Sequence, residues 1–140
     1  MLKSQSLEKG FEALQRYDFF KAKAIFSKKL KRDPAAANYG LAEIRFDELN
    51  HFHQLDSAYA HILRADSCWK LLSPKKQVNL WELGISDTAI SGLKSRIMNA
   101  AFMKAKRINT PESYHHYYTY YLDSPFRGQA QTLELSRAFK

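Results

Sequence analysis

Residues 10–34, GFEALQRYDFFKAKAIFSKKLKRDP, decide how the rest of the chain is read. Small and large apolar residues recur in it at helical spacing: Gly10, Ala13, Leu14, Tyr17, Phe19, Ala22, Phe26 and Leu30. This period predicts one helix over about 4–16 and a second over about 18–32. Gly10 and Ala22 are small enough to let two helices approach closely, while Phe19 and Phe26 are large enough to fill the gap. Pro34 closes the second helix, because proline lacks the N–H that a continuing helix would need.

The same markers extend along the chain. All four prolines follow a residue that caps helices well: Asp33-Pro34, Ser73-Pro74, Thr110-Pro111 and Ser124-Pro125. The side-chain oxygen of such a residue accepts a bond from the first turn, and proline at the first helical position gives up only an N–H that had no partner. The last three pairs are expected to open helices, and Asp33-Pro34 to end one and begin another. Gly84 suits the left-handed position after a helix, with Ser86 or Asp87 capping the next. Further helices follow at about 35–49, 54–71, 74–83, 86–107, 111–121 and 125–138. Short connections make sequential helices antiparallel, so the expected units are four hairpins, at about 4–32, 35–71, 74–107 and 111–138.

A lone hairpin cannot bury its apolar face, so repetition is the natural way to complete it. Gly10, Ala13-Leu14, Tyr17-Asp18-Phe19, Ala22, Phe26, Leu30 and Pro34 fall at the spacings of a tetratricopeptide repeat, and this stretch resembles that family. It departs from the pattern at Lys29, where a small residue is usual. A looser second copy has Leu41-Ala42 in its first helix and Ala58, Ile62 and Ala65 in its second, and residues 74–107 match only as a helix pair. Ala101-Phe102-Met103-Lys104-Ala105, Asn109-Thr110-Pro111-Glu112-Ser113-Tyr114, Tyr121, Ser124-Pro125, Ala130 and Arg137-Ala138-Phe139 resemble a degenerate tetratricopeptide-like unit of multidomain, often envelope-associated proteins of Bacteroidota-type bacteria. Leu122 stands where that unit usually has proline. The resemblance implies one all-α domain over 1–140, a right-handed α-solenoid of about four antiparallel hairpins. Ala101-Phe102 returns as Ala138-Phe139 after 37 residues, close to one repeat, and implies that this is the N-terminal part of a longer protein.

Composition agrees with a helical globule. The 140 residues include five Gly and four Pro, and 45% are hydrophobic, too many for a disordered chain. The single Cys68 cannot form an intramolecular disulfide, and its place beside Trp69 fits packing. No apolar run is long enough to span a membrane, and the first residues lack the apolar core of a signal peptide. A soluble protein is expected: periplasmic if an upstream signal has been removed, otherwise cytoplasmic.

Net charge is +8, unevenly placed. Lys21, Lys23, Lys28, Lys29, Lys31 and Arg32 run to Asp33 without an acid, and Lys94, Arg96, Lys104, Lys106 and Arg107 form a second group. Such fields draw anionic partners. The first run alternates with apolar residues, so its lysines are expected to fan over the outer face of a helix.

Candidate chemistry yields simpler readings. Tyr114, Tyr117, Tyr118 and Tyr121 occupy i, i+3, i+4 and i+7 and are expected to form a core stripe. Adjacent His115 and His116 diverge by about 100° on a helix and cannot share a metal there. His51 and His53, with Asp56 and His61 beyond, are expected in an exposed loop without a metal. Glu43, Asp47 and Glu48 read as a salt-bridging patch. No phosphate loop, nucleophile elbow or metal-binding helix is present in the sequence, so neither an enzyme nor a cofactor is expected.

The expected function is binding a protein or peptide on the solenoid surface. The inner helices of tetratricopeptide modules that grip a C-terminal carboxylate carry Lys and Asn, whereas the matching places here are Leu7 and Phe11. An apolar groove lined by Leu7, Phe11, Tyr39, Glu43 and Phe46 is expected instead, though Leu7 and Phe11 suit packing between repeats equally well. The alternatives are a basic helical module for nucleic acid or another polyanion, less favoured because no recognition motif accompanies the charge, and a structural spacer without a dedicated ligand.

Overall fold

The computed structural model describes residues 2–139, with side chains from Leu7 onward. Among the described residues there are eight α-helices and no strand: α1 (Leu2–Gln15), α2 (Phe19–Lys29), α3 (Pro34–Phe46), α4 (Leu55–Lys70), α5 (Pro74–Trp81), α6 (Asp87–Ile108), α7 (Pro111–Tyr120) and α8 (Arg127–Ala138). Each begins and ends within a few residues of its expected place. Packing divides the chain into two compact units, Met1–Lys94 and Ser95–Lys140, and the division falls inside α6.

In the first unit α1 packs on α2 and α3, α2 on α3, and α3 on α4. Short-range chemistry sets the turns. Tyr17 takes a left-handed conformation (φ 62°), the Tyr17 and Asp18 amides bond back to Leu14 and Ala13, and α1 stops. Asp18 then caps α2 by accepting from the Lys21 amide at 3.1 Å, so one residue serves both helix ends. Asp33 occupies the N-cap place of α3 without a side-chain bond to its first turn, and Pro34 follows at the first helical position.

Phe26 is the centre of this packing. It is fully buried, 4.8 Å from the Phe11 ring, and both faces that meet it carry a glycine. A Cβ on Gly10 would come within 2.8 Å of the phenyl ring, and one on Gly40 within 2.5 Å. The helix backbones approach the ring closely only because those two residues have no side chain. Full burial of such a ring stabilises by roughly 1.5–3 kcal/mol. In the same unit Ala13, Ala22, Ala36, Ala37, Ala42, Ile44, Ala58 and Ile62 are all buried.

Two N-caps behave as expected: Ser73 accepts from the Lys76 amide ahead of α5, and Ser86 from the Ala89 amide ahead of α6. Gly84 is left-handed (φ 83°), with its amide and that of Ile85 bonding back to Trp81 and Leu80. Helix α5 has no buried residue.

In the second unit α7 packs on α8. Thr110 and Ser113 form a reciprocal capping box at the start of α7. Ser124-Pro125 does not open the last helix, a correction to its reading as an N-cap. Helix α8 starts at Arg127 after Phe126, without a side-chain cap, and the Ser124 hydroxyl is drawn inward to the Tyr117 hydroxyl at 2.6 Å. Tyr117 also donates to the Met98 carbonyl at 2.8 Å. That buried contact fixes a turn where a cap was expected.

Candidate functional site

The five residues expected to line a groove divide into two groups. Leu7 and Tyr39 are buried inside the chain and present no surface. Phe11, Glu43 and Phe46 are half-buried. Phe11 leans on Phe26 and lies 6.5 Å from the Tyr39 ring, so the aromatic members pack on one another. Phe11 thus makes internal packing contacts, and Leu7 is buried.

The basic run lies on α2 and the turn after it. Lys21, Lys28, Lys31 and Arg32 are exposed, whereas Lys23 and Lys29 are half-buried. Lys23 holds its ammonium 5.1 Å from the centre of the Phe52 ring, a cation–π contact with the 47–54 loop. Among the described residues no carboxylate forms an ion pair with Lys21, Lys28, Lys31 or Arg32. The inner side of the helix is set by buried Phe19, Ala22 and Phe26, which forces Phe20 outward to 77% exposure. Tyr17, just before the helix, is 66% exposed.

The loop with His51 and His53 is tied to the end of α3. Arg45 donates to the Phe52 carbonyl, the Gln54 amide to the Arg45 carbonyl, and the Asn50 amide group to the Ile44 and Asp47 carbonyls. His53 is half-buried with Nδ1 3.1 Å from the Phe46 carbonyl, so only His51 stands exposed as expected of both. Among the described residues no group of three or more His, Cys, Asp or Glu is arranged to hold a metal ion.

His61 on α4 faces α3 instead. Its Nδ1–H donates to Asn38 Oδ1 at 2.8 Å, and the buried Asn38 passes the bond on to the Pro34 carbonyl at 2.9 Å. Partial burial, with the charges of Arg45 and Arg64 adding to it, holds the imidazole below its usual pKa. Nothing in the sequence spacing joins residues 38 and 61.

On α7 the tyrosine stripe forms a core. Tyr114, Tyr117 and Tyr121 are almost fully buried, and Phe102 packs on Tyr117 and stacks on Phe126. Tyr118 departs from this stripe and sits half-buried at its edge, above His115. His115 Nδ1 lies 3.0 Å from the Glu134 carboxylate. The Tyr118 hydroxyl is held above the usual phenol range by its hydrogen bond to Glu134, then by burial and by that negative charge. This cluster joins α7 to α8. Asn109, left-handed at φ 58°, accepts from the Tyr114 hydroxyl at 2.6 Å and from Arg137 at 3.0 Å.

Cys68 is a free, half-buried thiol beside buried Trp69. Among the described residues no helix is long and apolar enough to cross a membrane. Sequence spacing did not single out Phe20, Leu49, Leu71 and Trp81, which are exposed at 77%, 75%, 85% and 58%. The signal for Phe20 was present: of two adjacent phenylalanines on a helix packed on one side, one must face outward. Comparison of the chain with family models, curated proteins and solved structures gives no match.

Proposed function

We propose that the chain is a non-catalytic interaction scaffold, a tetratricopeptide-like right-handed solenoid that binds a protein or peptide on its surface. The observation that carries this reading is the packing of α1 to α4 in chain order, with the Phe26 ring of α2 admitted between Gly10 of α1 and Gly40 of α3. That is how stacked hairpins shield one another's apolar sides, and it leaves outer helix faces free for contacts. The exposed Phe20 on the outer side of α2 adds support.

Because Leu7 and Tyr39 are buried, the remaining surface candidates of the original five are Phe11, Glu43 and Phe46. Affinity capture from the native cell, with wild-type protein beside a Glu43→Lys, Phe46→Ala double variant, tests the reading. The scaffold expectation is a defined set of partners, with one or more lost in the variant. Recovery of nothing above a bare-resin control contradicts it.

The second reading, a polyanion binder, draws on exposed Lys21, Lys28, Lys31 and Arg32, with which no carboxylate among the described residues forms an ion pair. Under that reading affinity for any nucleic acid falls steeply and uniformly with salt, whatever its sequence.

A further inference from the structure

We propose that the outward face of α2 docks an acidic peptide segment carrying an apolar anchor, with Phe20 and Ala24 receiving the anchor and Lys21 and Lys28 the carboxylates. This deepens the scaffold reading and rests on it. Lys21 and Lys28 are seven residues apart, so they point within roughly 20° of one another and stand about 10.5 Å apart along the helix. Phe20, Ala24 and Ser27 form the neighbouring row on the same exposed side. The face is therefore a band of positive charge beside an apolar strip. Phe20 is 77% exposed beside buried Phe19, and no carboxylate among the described residues pairs with the two lysines. An uncompensated row of this kind selects an anionic partner, and the phenyl ring beside it gives that partner an apolar contact.

The spacing favours a peptide over the other anions. Carboxylates three residues apart in a polyproline-II segment lie on one side of it and are separated by roughly 9 Å, close to the spacing of the two lysines. A single-stranded nucleic acid would want successive aromatic platforms along a basic groove, and α2 offers one exposed ring followed by Ala24 and Ser27.

The test is fluorescence anisotropy with two labelled 14-residue peptides of equal charge, one glutamate- and serine-rich, the other with central serines replaced by leucine and phenylalanine. The apolar-bearing peptide is expected to bind at least fivefold more tightly, and Phe20→Ser to erase that preference. Lys21→Glu with Lys28→Glu is expected to weaken both peptides tenfold or more, while Lys75→Glu with Lys76→Glu, the same charge change on exposed residues of α5, leaves both within twofold. All substituted positions are exposed, and thermal melts matching wild type verify folding. Equal weakening by the two double variants overturns the proposal, as does a preference that survives Phe20→Ser. Tighter binding to a 14-residue oligothymidylate, or to vesicles of phosphatidylcholine and phosphatidylglycerol, overturns it as well. If native-cell capture returns the same partners for wild type and for the Lys21→Glu, Lys28→Glu variant, this proposal falls and the scaffold reading stands. If wild type captures nothing, both fall.

Discussion

A Cβ on Gly40 would stand 2.5 Å from the Phe26 ring, so α3 meets α2 across a phenyl group with no room for a methyl. Gly40→Ala is therefore expected to destabilise the protein by about 1–3 kcal/mol, the range for overpacking a filled core. Phe26→Ala is expected to cost about 3–5 kcal/mol through the cavity it leaves. Combining Gly40→Ala with Phe26→Leu should cost less than the sum of the two single changes, because the smaller side chain makes room. Urea denaturation of wild type, Gly40→Ala, Phe26→Leu and the double variant checks this, with Phe26→Ala measured beside them, and strict additivity would contradict it.

Tyr117 carries the second unit's buried polar contact. Tyr117→Phe removes a hydroxyl that bonds the Met98 carbonyl and the Ser124 hydroxyl, and is expected to cost about 1–3 kcal/mol. Ser124→Ala should act through the same contact, whereas Thr110→Ala removes a helix cap at about 1 kcal/mol. Pro125→Ala should fall within about 0.5 kcal/mol, because Pro125 is an exposed turn residue and not the first residue of a helix. Thermal melts of the four variants rank these effects.

Partial burial of His61, with the charges of Arg45 and Arg64 near it, gives stability a pH dependence of known sign. The folded imidazole has a pKa below its usual 6.5, so the unfolded chain binds the proton more readily. The contribution is present above pH 6.5 and is lost as pH falls through 6.5 toward the lower folded value. The urea midpoint is expected to drop between pH 7.5 and pH 5, and His61→Gln to flatten part of that drop. An unchanged slope in His61→Gln would assign the pH dependence to other groups.

Much of this architecture was legible in the sequence because local chemistry writes it there. Ser73 and Thr110 before proline cap helices, Gly84 ends one, and the tyrosine period on α7 marks a buried face. What could not be read depends on partners distant in the chain. Gly40 looks like an ordinary weak point in a helix until Phe26 is seen against it. Ser124-Pro125 has the composition of a cap, yet Tyr117 competes for the hydroxyl. Leu7 and Tyr39 have the right register for an inner surface, but neighbouring helices cover them. The basic run was visible as charge, and its paired row with Phe20 required knowing which side of α2 is buried.

Site-specific photo-crosslinking in the native cell tests the scaffold reading most directly. A photoreactive phenylalanine analogue is placed singly at Phe20 or Phe46, with irradiated wild-type protein as the control. Discrete protein adducts from Phe20 or Phe46, and none from wild type, are the expected result. Adducts at neither position, or the same bands from wild type, would contradict an outer face made for a partner.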